Sequence, residues 1–370
     1  MKMKSRKLYS VAIATTFVLA ACAAAGSAPA RQAAPSPDGA GEYVYVPNQD
    51  DATVSLIDRE SLREADRIEL TTLGFGPNAK PHHVVVEPDG SHWYLSLIGE
   101  NHVLKFDREN RVVGRVEMEV PGLLALHPSE DRLYVGRSMS AVNPPRSVAV
   151  IRRSSMELLD EIEVLYPRPH ALAVRPQGDV LYSASLAENR LAAIDLATDE
   201  VEISTLDGPT HTLVQFAVSP DGRWMVATGQ LTARMLVFDL ADPMRPRPVR
   251  SVEVGAEPWH PVFSPDGGTV WFANKGANTV TAVDAESWTV AGVVRGDALA
   301  QPHGAAVSPD GRRVYISSND LDDAYGEDGA GTFVVIDAER REIVEVVEVG
   351  LNAAGIGTPG GDDRAASTGG

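Results

Sequence analysis

The chain has 370 residues and a formal net charge of −18, with 51 acidic against 33 basic side chains. That balance argues against nucleic acid and against direct adsorption to an anionic membrane as binding modes. A single cysteine excludes an internal disulfide and a Cys-x-x-Cys-His covalent haem, while 44% hydrophobic content is ample for a buried core.

Residues 1–21 open with Lys2, Lys4, Arg6 and Lys7 and continue as an apolar run from Leu8 to Ala21. The run is too short to span a bilayer and fits a signal peptide. It ends Leu19-Ala20-Ala21-Cys22, which resembles the bacterial lipobox, whose cysteine becomes a lipidated first residue. The expectation is a protein anchored by Cys22 on the periplasmic side or at the cell surface, touching membrane only through that lipid. Ordinary cleavage near residues 23–25 is the alternative, and it also exports the chain. Residues 22–41, rich in Ala, Gly, Pro and Ser, read as a flexible tether. The folded domain is expected over 42–356, followed by a disordered tail over 357–370.

From residue 43 onward one phrase recurs about every 40–45 residues. It runs through an apolar strand, a Pro-Asp-Gly turn, a strand with Tyr or Trp, an Asn-bearing turn and a Val-rich strand closing on Asp. The turns are Pro88-Asp89-Gly90, Pro128-Ser129-Glu130, Pro176-Gln177-Gly178, Pro220-Asp221-Gly222, Pro265-Asp266-Gly267 and Pro309-Asp310-Gly311. Pro presets φ, Asp bonds the local backbone and Gly accepts φ > 0. Strand patterns at this period, with nothing helical between them, predict an all-β seven-bladed β-propeller of four-stranded antiparallel blades. Six units start near His82, Gly122, His170, His211, His260 and His303. The stretch Tyr43 to Leu70 reads as a blade lacking its inner strand, which Asn352 to Ile356 is expected to supply. Pairing of the two chain ends would then close the ring and remove its open edges.

The segments Val44-Tyr45-Val46-Pro47-Asn48 and Val270-Trp271-Phe272-Ala273-Asn274 resemble the YVTN-type propeller repeat, as does the stretch Pro302 to Gly311. The resemblance covers nearly the whole domain. It implies fold far more than function, because relatives with this repeat range widely. They include surface proteins, lactonase-type propellers, the heavy subunit of methylamine dehydrogenase and the propellers of nitrous oxide reductase and haem nitrite reductases. No cupredoxin domain accompanies this propeller, so nitrous oxide reductase activity is not expected.

Of the nine histidines, six lie at or beside an inner-strand start: His82, His83, His170, His211, His260 and His303. The repeat brings such positions to one mouth of the central channel. Imidazole ligates copper, zinc, iron and nickel, so His83, His170, His211, His260 and His303 form a candidate ring for copper or another divalent metal. All six are candidates for binding an organic ligand. The plainer reading is that the imidazoles hold neighbouring backbones as part of the repeat. Strict strand alternation predicts that His82 and His83 cannot both face the axis. Asn48, Asn101, Asn189, Asn274 and Asn319 are expected to close turns on the same face. Arg137, Arg146, Arg152 and Arg153 could hold an anion, with scattered surface arginines the plainer reading, and the acids from Asp320 to Asp328 could hold Ca²⁺, with a solvated acidic loop the plainer reading.

No nucleophile elbow, phosphate loop or His-Glu-x-x-His motif is present, so no catalytic residue is assigned. The leading expectation is a monomeric binding scaffold for a small molecule or an envelope protein at the strand-start face. A metal or redox protein and a lactonase-like hydrolase are the alternatives.

Overall fold

The computed structural model describes residues 43–325 and 328–360. The expected signal peptide, Cys22 and the tether lie outside the described residues. So do residues 326–327 and the tail from 361 onward.

Six four-stranded antiparallel sheets and one three-stranded sheet form the blades. The three-stranded sheet comprises Tyr43–Asn48, Thr53–Asp58 and Glu64–Glu69. Its missing inner strand comes from the other end of the chain. Tyr45 N–H donates to the Gly357 carbonyl at 2.9 Å and Gly357 N–H donates back at 3.0 Å. Asn48 faces Ala353 in the same ladder. The ring is therefore closed by the two chain ends, as the sequence predicts. Pairing runs one residue past the expected end of the domain, to Gly357, and the described chain continues to Gly360.

The last repeat shows how closely pattern maps to structure. Its strands are Pro302–Val307, Arg313–Ser318, Ala330–Asp337 and Glu342–Leu351. In the turn before the second strand, Ser308 Oγ accepts the Arg313 N–H at 2.9 Å and donates to Asp310 at 2.6 Å. Gly311 sits at φ +74°, a conformation glycine takes without a Cβ penalty. Ser219 and Ser264 repeat the arrangement in two other blades. The two inner strands of each blade are largely buried, except at Gln215, Ala217 and Val218, and the outermost strand is largely exposed. The core thus lies between blades, where Tyr45 stacks on Trp93 and Trp93 on Phe106.

One irregularity matters for everything at the axis. In the second blade Pro81 faces Leu97 and Val84 faces Leu95, so His82 and His83 together oppose Ser96. This is a β-bulge, one extra residue on the inner strand. The same extra residue follows Pro121, Pro169, Leu213 and Pro302. Aligning the blades on these pairs puts His82, Gly122, His170, Val214, Trp259, His303 and Ala354 at one level. His83, Leu123, Ala171, Gln215, His260, Gly304 and Gly355 form the next level.

Gly304 and Gly355 are required where they stand. A Cβ on Gly355 would lie 2.3 Å from the His82 carbonyl oxygen, and one on Gly304 would lie 2.8 Å from the Ala354 carbonyl oxygen. Gly355→Ala should therefore lower stability by about 1–3 kcal/mol, the usual range for overpacking. Gly268→Ala, where the new methyl meets only ordinary contact, should stay within about 0.5 kcal/mol of the parent. Urea midpoints of the two variants check this.

Candidate functional site

A central void of about 1110 Å³, counting its open mouth, runs along the propeller axis. At one end it meets His83, Gln215 and His260. At the other it meets the turn prolines Pro88, Pro128, Pro176, Pro220 and Pro265, which are exposed or half-exposed. The sequence places the expected working face at the strand starts. The void instead runs from those starts toward the Pro-Asp-Gly turns, because buried side chains fill the strand-start end.

Those side chains form two layers. His83 and His260 project from blades on opposite sides of the axis, yet their ring centroids are only 5.9 Å apart. The two blades between them carry Gly304 and Gly355 at the same level, so no side chain intervenes. Behind this floor lie His82, His170, His303 and Trp259, each less than 5% exposed. His303 lies 4.9 Å from His260, 5.7 Å from His82 and 4.4 Å from Trp259, centroid to centroid. Lys275, half-buried, holds its ammonium 5.2 Å above the Trp259 ring.

The bulge overturns one expectation. His82 and His83 both belong to this cluster, because the extra residue breaks the alternation that would have sent one of them away from it. His211 is the departure in the other direction. It lies two residues ahead of the first paired residue, Leu213, and its Nδ1 meets Thr232 Oγ1 at 2.8 Å. It stands outside both layers. The backbone at His260 takes φ +22°, an uncommon region for a residue with a side chain. Pro258 and Pro261 flank it and lack N–H groups, so the ladder there shrinks to Val262–Phe263.

Hydrogen bonds settle the tautomer of two of the rings. His83 Nδ1 accepts the Leu124 N–H at 3.2 Å, so in the neutral ring the proton is on Nε2. His170 Nδ1 lies 2.8 Å from the Arg137 carbonyl oxygen, so Nδ1 carries its proton and Nε2 is a lone pair. Buried nitrogens without a protein partner include His82 Nδ1, His170 Nε2, His260 Nε2, His303 Nδ1 and the Trp259 Nε1–H donor. Such atoms are costly to leave unsatisfied, and they mark this cluster as a place where a polar guest gains most.

The charge state follows from burial. Desolvation, reinforced by neighbouring imidazoles, pushes His82 and His83 down to about 3, and burial pushes His170 down to about 4. His260 and His303 are driven well below the ordinary imidazole value for the same reason. At neutral pH the five imidazoles are uncharged. Lys275 is also lowered by burial, against the pull of Glu257 and Asp322.

The other sequence candidates are occupied structurally. Asn48 bonds Thr53 and Ser55, and Asn274 bonds Thr279 and Thr281. Asn319 reaches the Ala353 carbonyl at 2.6 Å, while Asn101 and Asn189 accept the N–H groups of Val120 and His211. The arginines do not converge. Arg137 is fully buried against Glu161 at 2.8 Å, Arg152 pairs with Glu157, and Arg153 with Glu87. Asp320 accepts the N–H groups of Ala324 and Tyr325 within its own loop. Among the described residues, no three His, Cys, Asp or Glu side chains stand in an arrangement that would hold a metal ion.

The profile of the family described as Lactonase, 7-bladed beta-propeller, matches residues 111–325, more than half of the chain. The chain belongs to this lactonase-type propeller family. No curated protein matches it. Among solved structures, hydrazine synthase of Kuenenia stuttgartiensis is 22% identical, with 76% of this chain and 90% of that chain covered at a TM-score of 0.64. A functionally unknown protein from Desulfotomaculum acetoxidans is 14% identical, with coverage of 85% and 98% and a TM-score of 0.69. The dihydro-heme d1 dehydrogenase NirN, in complex with DHE, is 16% identical, with coverage of 87% and 76% and a TM-score of 0.60. At these identities the likeness is one of fold.

Within this lactonase-type propeller, sequence reasoning missed Gln215 and Trp259. Both stand at histidine positions once the blades are aligned on the residue six or seven places before each turn, a frame that the Pro-x6-Pro spacing of Pro81–Pro88 or Pro258–Pro265 makes visible.

The buried imidazoles couple stability to pH. Each ring binds its proton more tightly in the unfolded chain, at an ordinary value near ~6.5, than in the fold. Stability is therefore complete above that value and is lost as pH falls toward the folded values of about 3–4. The slope is at most about 1.4 kcal/mol per pH unit for each imidazole. The urea midpoint should fall steeply from pH 7 to 5, and His82→Gln should flatten that fall by about one proton.

Proposed function

We propose that this lactonase-type propeller binds a small organic molecule in its central channel, with a polar group of the ligand against His83 and His260. The observation that carries the reading is the meeting of these two imidazoles across the axis at the floor of an open channel, with His260 Nε2 engaged by no protein group. Concave sites with a few convergent polar groups are the usual form of small-molecule pockets. Export and anchoring through Cys22 belong to the same reading. They are supported by the basic and apolar run that ends in Leu19-Ala20-Ala21-Cys22.

Lactone hydrolysis is the second reading, favoured by the family and by the division of roles between the two rings. His83 Nε2–H is a donor placed for a carbonyl oxygen. His260 Nε2 carries a lone pair with no protein partner, buried at the channel floor, and would take a proton from an attacking water admitted there. Attack at the acyl carbon would put that proton on His260 and the developing negative charge against His83. Collapse would break the ring C–O bond and return the proton to the leaving oxygen, leaving a hydroxy acid. Both imidazoles are neutral near pH 7, as these roles require, while burial keeps His260 a weak base.

The test is titration calorimetry of the native chain and of His83→Ala and His260→Ala against δ-valerolactone and related small lactones, with acid release followed in parallel. Loss of one hydrogen bond should weaken binding about three- to tenfold in either variant. Unchanged affinity in both variants, or no binding at all, refutes the channel site. Metal content is measured on the same samples: stoichiometric copper, zinc or iron lost from the His260→Ala protein would replace this reading with the metal ring. For the anchor, Cys22→Ser should move the protein from the membrane to the soluble fraction.

A further inference from the structure

Three features of the channel bear on which molecules it accepts. The first is its charge. Among the described residues lining it, Arg175 alone carries a formal charge. That guanidinium is already spent: it bonds Asp179 at 2.6 Å and the Gly222 carbonyl at 3.1 Å. It also lies in the residue before Pro176, at the turn end of the channel and away from the floor.

The second feature is the floor's hydrogen-bonding sense. His83 cannot become a cation without losing a bond, because its Nδ1 accepts the backbone N–H of Leu124 from the neighbouring blade. Its Nε2 is therefore a fixed donor. Gln215, the third polar side chain at this level, uses its Oε1 to accept the N–H groups of Leu172 and Phe216. Its amide NH2 is thereby oriented as a second donor. No carboxylate lies among the lining residues to be neutralised by a cationic ligand.

The third feature is the second layer. His82, His170 and His303 stand behind the floor without a carboxylate or a guanidinium among them at their level, and His82 Nδ1, His170 Nε2 and His303 Nδ1 have no protein partner. Lys275 lies beyond them, over Trp259. An anion placed at the floor would hydrogen-bond neutral donors only, in a desolvated pocket, with Lys275 as a cation behind the second layer and no direct ion pair. Neutral donors satisfy a carbonyl oxygen well, whereas they leave a full charge largely uncompensated.

We infer that the channel selects uncharged ligands, which present a carbonyl-type acceptor to His83 Nε2–H and the Gln215 amide, and that it discriminates against carboxylates and phosphates of the same skeleton. The inference rests on the channel-binding reading and adds to it the class of ligand. It also predicts that a hydroxy acid, the anionic product of lactone opening, is expelled by the site that accepted the neutral ring.

The experiment uses matched pairs. γ- and δ-lactones are compared with their ring-opened hydroxy carboxylates, and cyclic ketones with cycloalkane carboxylates of equal carbon number. Binding at pH 7.5 is read by calorimetry and by the shift of the His83 imidazole resonances. The neutral member of each pair should bind about tenfold or more tightly than its anion. Ala217 lines the channel, is half-exposed and makes no side-chain hydrogen bond. Ala217→Arg should raise carboxylate affinity by about tenfold without improving the neutral member. If that chain fails to fold, Gln215→Lys carries the same charge to the floor. Carboxylates that bind the native chain as well as their neutral partners overturn the inference and leave the channel site standing. A folded Ala217→Arg protein that still rejects carboxylates contradicts its electrostatic origin. Failure of every probe to bind in the channel removes the inference together with the site.

Discussion

The axis of this propeller depends on a backbone irregularity, an extra residue near the start of the inner strand. An inner strand of strict period two would send alternate side chains to its two faces and leave only one of His82 and His83 near the centre. The bulge lets two consecutive residues oppose Ser96, and both imidazoles join the central cluster. Glycine does the complementary task in the two blades between His83 and His260. Gly304 and Gly355 let neighbouring backbones approach closely, and Gly355 N–H also ties the closing segment to the His82 carbonyl at 2.9 Å. Ring closure and the geometry of the floor are thus held by the same few backbone contacts.

Burial gives the cluster its chemistry. Five imidazoles packed together without a carboxylate partner cannot hold protons at neutral pH, because each charge would face both desolvation and its neighbours. The result is a floor of neutral donors and lone pairs. Such a floor differs from the acid-paired histidines of a charge-relay site. The unpaired nitrogens of His82, His260 and His303 point to a polar guest that contributes its own hydrogen bonds.

The fold was legible because the signals are local and repeated. Pro-Asp-Gly turns, strand alternation and the missing inner strand at Tyr43 each have a direct backbone cause, so the blade count and the closure by residues near Ala353 could be read without coordinates. The site was legible only in part. Six histidines near strand starts were visible, but their layering was not, since it comes from a bulge whose extra residue leaves no compositional mark. His211 and His260 both mark unit starts in the sequence, yet pairing of Leu213 with Gly229 sets His211 apart. Trp259 carried no histidine signature although the Pro258–Pro265 spacing marks its frame, and Gln215, where Leu213 replaces the first proline, became visible only through register. The direction of the void was hidden as well, because side-chain volume at the strand starts, and not strand direction, decides which end of the channel is filled.

The central claim is that the channel ends on neutral imidazoles whose tautomers the backbone sets. The most direct measurement is nitrogen-15 NMR of the histidine side chains from pH 8 to pH 5. The account predicts that His83 shows an unprotonated Nδ1 and a protonated Nε2 throughout, with no titration in that range. A His83 ring that takes up a proton with a midpoint near ~6.5, the ordinary value for an exposed imidazole, or that carries its proton on Nδ1, would contradict it.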